Sequence, residues 1–312
     1  MIQVQRYHRG LKEIWNAFNS QAVNGTFFFN RTFIEYHGSR FTDHSLLFYH
    51  KNSLIALLPL HEDNTVISSH QGLSFGGFII SAKVDVLLML QLFENLKIYA
   101  VQHGFTTLIY KAPPSVYLGQ PTQDDLFALY QHQAVLQHRN LISVLNLKEP
   151  IAYSKLRQRC LKRAKELNLT ICFSEDIEAF MHLVQQVHKR SKLKSPTHSV
   201  AEIKYLMQAF PENIGLMAAY AEQELVGGVL LFKHRQVVNL QYIASSAVGK
   251  QKHALDLLVH AVITKYQNQV KYLSFGSSHD EREPYHLNTS LVQNKSSYGA
   301  RGVVQDTYQL NF

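Results

Sequence analysis

The chain has 312 residues, of which 46% are hydrophobic and 17% charged, a balance too apolar for a disordered protein and one that predicts folding throughout. Its length suits two domains of about 150 residues, each able to bury a core. The formal charge of +8 favours anionic partners such as phosphates, nucleotides, RNA or acidic lipid surfaces, without choosing among them.

From Leu46 the pattern predicts three strands separated by polar turns: "LLFYH", "LIALLPL" and "TVISSHQG". An amphipathic helix is expected over 84–102, then the strand "FTTLIYKA". The strand "NLISVLNL" ends near Glu149-Pro150, and the basic helix "KLRQRCLKRAKEL" follows. Its cations Arg159, Lys162 and Arg163 lie on neighbouring positions, with Leu156, Cys160 and Leu167 expected on the buried side. A solvated face explains that stripe as readily as an RNA phosphate backbone does.

The three-strand pattern then recurs as "GLMAAY", "LVGGVLLF" and "VVNLQYIASS", followed by a helix over 254–266 and the strand "KYLSFGSS". Tyr49 and Tyr220, Leu54 and Leu225, and Val66 and Val237 are each 171 residues apart. This spacing predicts a duplicated β-β-β-α-β unit, with one large mixed sheet as the alternative. In the second helix Leu255, Leu258, Val259 and Val262 form the apolar stripe, opposite Asp256, His260 and Thr264.

The 17 histidines show no HExxH or other close ligand spacing, so no metal is expected. Cys160 and Cys172 give no disulfide framework, and the start "MIQVQRYHRGLKEIW" lacks a secretory apolar region, so the expected compartment is cytoplasmic. The longest apolar runs fall short of the roughly 18 residues of a membrane span, which leaves peripheral membrane contact at most.

The segments "NGTFFFN", "GLSFGGF", "KAPPSVY", "QYIASS", "FGSS" and above all "LNTSLVQNKSSYGAR" leading to "YQL" resemble those of the FemAB-like tandem GNAT acyltransferase family. That family comprises the Fem-type aminoacyltransferases and related GNAT N-acetyltransferases. The resemblance covers nearly the whole chain. It implies an α/β protein of two tandem GNAT-like (acyl-CoA N-acyltransferase) domains, each a mixed, mainly antiparallel sheet flanked by helices. Residues 1–150 would be a degenerate domain and 151–312 the one carrying the active site. It also implies an acyltransferase moving an acyl group, acetyl first among them, to an amine of a cell-envelope saccharide or peptide precursor. The acceptor would be a small molecule or lipid-linked; DNA is not an expected partner. The alternatives are an aminoacyl-tRNA-dependent transferase acting on a peptide or lipid, with tRNA as partner, and a binding scaffold without catalysis.

In the terminal signature, a helix over "LNTSLVQNKSSY" puts Asn288 and Lys295 on one face, with Leu287 and Leu291 packing inward. Asn288 and Gly299 also read as plain helix caps. The resemblance associates Lys295 with stabilising the oxyanion of acyl transfer. Arg301, a permanent cation, suits a substrate phosphate or carboxylate, and equally a surface ion pair. The loop "FGSSHDEREPYHLN" offers Ser277 and Ser278 to substrate and His279 or Asp280 as proton acceptor, although either is also ordinary in a solvated loop. No G-x-S-x-G elbow supports Ser277 as a nucleophile. Tyr242 is expected to line the acyl channel. Where GNAT enzymes hold the coenzyme A diphosphate on a Gly-rich loop, this chain reads "SSAVGKQKHAL". Gly249 and Lys250 are the candidates there, but the second small residue is missing. This weakens acyl-CoA, acetyl-CoA included, and leaves aminoacyl-tRNA open as donor.

Overall fold

The computed structural model describes residues 2–191 and 194–312. The chain divides into two compact units, residues 1–140 with 304–312, and residues 141–303. In chain order the first half contains β1 (Ile2–Arg6), α1 (Lys12–Gln21), α2 (Arg31–Glu35), β2 (Thr42–Asp43), β3 (Leu46–His50), β4 (Ser53–Leu58), β5 (Leu60–Asp63), β6 (Val66–Ser69), β7 (Ile79–Ile80), α3 (Val86–Gln102), β8 (Thr107–Lys111), α4 (Asp124–Gln131) and β9 (Val135–Asn146). The second contains α5 (Lys155–Lys165), β10 (Leu169–Ser174), α6 (Ile177–Arg190), α7 (Val200–Ala209), β11 (Ile214–Ala221), β12 (Glu224–Lys233), β13 (Val237–Ser245), α8 (Ala247–Gln251), α9 (Ala254–Tyr266), β14 (Tyr272–Ser277), α10 (Thr289–Ser296) and β15 (Arg301–Asn311). The expected boundary at Glu149-Pro150 lies in the loop between β9 and α5. Among the described residues, no helix is long and apolar enough to cross a membrane.

The 171-residue repeat is visible in the strand registers. In the hairpin of β3 and β4, Phe48 opposes Ala56 and Tyr49 opposes Leu54, with a bulge between them. In that of β11 and β12, Ala219 opposes Gly227 and Tyr220 opposes Leu225, with the bulge at the same place. Each unit also has one parallel pair across its long helix. Val66 pairs Thr107 in the first unit, and Val237 pairs Tyr272 in the second. A right-handed crossover through a helix is the connection such a pair requires.

The first three-strand run does not stay in one sheet, which corrects the simple meander expected from its sequence. Pro59, with no N–H to donate, separates β4 from β5. β4 continues the sheet β1-β3-β4-β7, whereas β5 pairs with β6 in another. The second unit keeps the meander intact, β10 to β13 antiparallel in succession.

Each sheet packs its apolar face on its long helix. Phe48, Leu58, Leu92, Phe93 and Leu96 are buried together in the first unit, and Val229, Leu231, Leu258, Val262 and Leu273 in the second. Full burial of each such side chain is worth about 1.5–3 kcal/mol, so these clusters dominate the stability of each unit.

Candidate active site

The parallel strands β13 and β14 pair only over Val237–Asn239 and Tyr272–Ser274. Both are bulged where they part. Against β12, Leu230 opposes Tyr242 and Leu231 opposes Leu240, so Gln241 is the extra residue. Against β9, Ser274 opposes Val144 and Ser277 opposes Ile142, with Gly276 in the left-handed region at φ +66. Bulges bend strands and re-aim side chains. Here they bring Tyr242 and the loop after β14 to a common cavity of about 500 Å³, lined by Tyr242, His279, Asp280, Arg282, Thr197 and His188 among others.

Three residues expected from the sequence, Tyr242, His279 and Asp280, therefore share one concavity. Tyr242 is 9% exposed, and burial holds its phenol above the ordinary value. Asp280 accepts a bidentate pair from Arg282, Nε to Oδ1 at 2.8 Å and Nη2 to Oδ2 at 2.8 Å, which pulls its carboxyl down to about 2. A carboxylate held that low is a poor proton acceptor near neutrality and a good clamp on the arginine. The Ser277 hydroxyl accepts from the His279 N–H at 3.0 Å, and the Asn288 N–H donates to the Ser278 carbonyl at 2.9 Å. These bonds fix the loop. Ser278 is 2% exposed, and among the described residues its hydroxyl has no hydrogen-bond partner.

Lys295 stands behind this loop and does not line the cavity. Only 8% exposed, it donates from Nζ to the carbonyls of Gly276 at 3.0 Å and Ser277 at 2.7 Å. Those carbonyls lie beyond the stretch of β14 that pairs with β13, and the ammonium takes the place of that strand neighbour. Burial brings its pKa down to about 8. Asn288 caps α10, its side chain accepting from the Leu291 N–H at 3.0 Å, and Gly299 takes φ +93 beyond the helix end. Leu291, expected to pack inward, is 45% exposed, because the helix turns Lys295 to the interior instead.

The corner after α10 is pinned from α5. Arg157 donates to Asp256 Oδ1 at 2.5 Å and to the Ser297 hydroxyl from Nε at 3.1 Å and Nη2 at 2.8 Å, and its guanidinium lies 4.0 Å from the Tyr298 ring centre. The sequence reading placed Asp256 on the polar side of its helix; it is buried because Arg157 reaches it. On α5 itself Leu161 and Ala164 are buried and Leu156 is exposed, the reverse of the expected face for Leu156. Arg301 is exposed, its Nη1 bonded to the Ala300 carbonyl, and it stands apart from the cavity lining.

His198 was not singled out from sequence, yet its ring and backbone both meet the Tyr242 hydroxyl. The available signal was Ser199-x-x-Glu202, a capping box that opens α7 and so places His198 in the turn before it.

Residues 153–285 match the family model of the acetyltransferase (GNAT) domain. The second unit is a GNAT acyltransferase domain. Along its whole length the chain is similar in fold to FemX, at 10% identity, TM-score 0.73, and coverage of 99% of this chain and 97% of that one. It is also similar to L-PGS from Bacillus licheniformis (12%, 0.62, 98% and 92%). A third likeness is to a tandem GNAT protein from the clavulanic acid biosynthesis pathway (10%, 0.51, 100% and 98%). At these identities the likeness is one of fold, and it agrees with the FemAB-like character read from the motifs. No curated protein matches the sequence.

GNAT domains generally take acyl-CoA, with the diphosphate on backbone N–H groups of a Gly-rich turn. That turn of this GNAT domain fits the group poorly. The Gly249 N–H is taken by the Ser246 hydroxyl at 3.0 Å, and a Cβ on Gly249 would stand 2.0 Å from the Val226 carbonyl oxygen. Its glycine serves close packing of α8 on β12, and Lys250 points outward as an exposed side chain.

Proposed function

We propose that the second unit transfers an acyl group to an amine of a cell-envelope saccharide or peptide precursor, with residues 1–150 acting as a degenerate partner domain. The observation that carries this reading is the cavity where β13 and β14 part, with Tyr242, His279 and Asp280 on its wall. The amine attacks the donor carbonyl, and the developing oxyanion needs a donor fixed in place beforehand. Lys295, Ser277, Ser278 and Asn288 support that geometry by holding the strand end and loop rigid, so Lys295 acts on the oxyanion through the loop it holds. His279 and Tyr242 are the groups placed to accept the proton that leaves the amine. Arg301 and Lys250 serve the outer, anionic parts of the substrates. The free Cys160 and Cys172 fit a cytoplasmic setting.

The donor reading turns on Gly249. Because its N–H is already capped and its missing side chain is filled by Val226, aminoacyl-tRNA is favoured as second reading over acetyl-CoA. The exposed cations of α5, Arg159, Lys162 and Arg163, would then meet the RNA backbone.

Purified protein incubated with amino-sugar nucleotides and envelope peptides, and with acyl-CoA or charged tRNA as donor, should yield an acylated amine by mass spectrometry. Retention of tRNA that weakens with salt, without a thermal shift from coenzyme A, selects the second donor. Absence of transfer from both donor classes to every amine rejects the proposal.

A further inference from the structure

Tyr242 Oη lies 2.8 Å from His198 Nδ1 and accepts the His198 backbone N–H at 3.3 Å. Both residues are 9% exposed, and their rings meet edge to face at 5.8 Å. The Tyr242 side chain thus lines the cavity and carries its hydroxyl against a buried imidazole. The His198 backbone N–H donates to Oη and Thr197 also bonds the phenol; the relay requires the neutral imidazole whose Nδ1 is the acceptor, to which the phenolic hydrogen is then given.

We infer that His198 is the terminal proton acceptor of the reaction, acting through Tyr242. This rests on the acyl-transfer reading above. As the amine nitrogen bonds to the donor carbonyl carbon, the carbonyl π pair moves onto oxygen. The amine proton passes to Tyr242 Oη while the phenolic proton passes to His198 Nδ1. When the oxyanion collapses and the bond to the leaving group breaks, the same two protons run back, and the leaving oxygen or sulfur departs protonated. Phenol and imidazole are regenerated, and no further reactant is needed. The arrangement lets a base act through the phenol from behind the cavity wall.

The groups facing this pair are Glu202 from α7, His188 and Lys189 from α6, Lys194 before α7, and His279, Asp280, Glu281 and Arg282 from the loop after β14. Asp280 and Arg282 neutralise each other.

His198→Asn keeps an acceptor oxygen near the position of Nδ1 but cannot carry the proton. It should lower kcat about 100-fold with KM little changed, and abolish the acidic limb of the pH–rate profile. A role confined to structure would leave that limb in place. Tyr242→Phe added to His198→Asn should cost little more, since one relay is broken once. A limb that persists in His198→Asn, or one that disappears in His279→Asn instead, overturns the inference. Nitrogen NMR of the histidine rings gives a readout without turnover: Tyr242→Phe should shift the His198 Nδ1 resonance. An unshifted resonance removes the relay and leaves the acyl-transfer reading standing. A shifted resonance in a protein that acylates nothing removes that reading, and the relay with it.

Discussion

Lys295 and Ser277 are joined by a 2.7 Å hydrogen bond from a buried ammonium to a backbone carbonyl. With its companion bond to Gly276, it replaces the strand neighbour that β14 loses where β13 turns away. Removing the ammonium orphans two carbonyls, each worth about 1–3 kcal/mol when left unpaired in the interior. Lys295→Met should therefore destabilise the second unit and lower activity together. Burial depresses the lysine from 10.5 to about 8. Its contribution is therefore greatest above the unfolded value and falls as pH drops through 8. The stability of wild type relative to Lys295→Met, from urea unfolding, should rise by roughly 3 kcal/mol between pH 8 and 10.5. A flat difference would show that the ammonium is solvated.

Buried Asp256 and the partly buried Arg157 are a further ion pair, tying α5 to α9 and to the corner after α10. Arg157→Ala leaves the Asp256 carboxylate without its cation and should cost about 3–5 kcal/mol. Adding Asp256→Leu should recover much of that loss, measurable as a return of the urea midpoint. A single variant as stable as wild type would contradict the burial of Asp256.

Gly249 is held against Val226, so Gly249→Ala forces α8 away from β12. The expected loss is about 1–3 kcal/mol, read as a lower Tm. An unchanged Tm would return Gly249 to a role in ligand binding.

In the first unit Asp125 accepts from the Tyr110 hydroxyl at 2.7 Å inside the core, and burial pushes its carboxyl up to about 6. A raised folded value gives stability that is complete below the unfolded value of 3.8 and is lost as pH climbs through 6. Wild-type stability measured against Asp125→Asn should thus fall by roughly 3 kcal/mol from pH 4 to pH 7. A difference independent of pH would count against an ionisable group in that core.

The sequence by itself determined the repeat, because a 171-residue offset between apolar strands and turn residues is a local pattern, and the two hairpins keep even their bulges in register. It also determined the caps at Asn288 and Gly299, since capping depends on neighbours three residues away or on one backbone angle. Tyr242 was legible as a strand residue lining the acyl channel, and the His279-Asp280 loop as a strand-end position. Tertiary structure alone decided the rest. Which way Lys295 points follows from two carbonyls freed by a parting strand. The burial of Asp256 depends on an arginine 99 residues away. The partner of Tyr242 comes from a turn 44 residues earlier in the chain. Periodicity reports which face of an element is apolar; it carries no record of which distant polar group will meet a buried charge, and in this protein those meetings build the site.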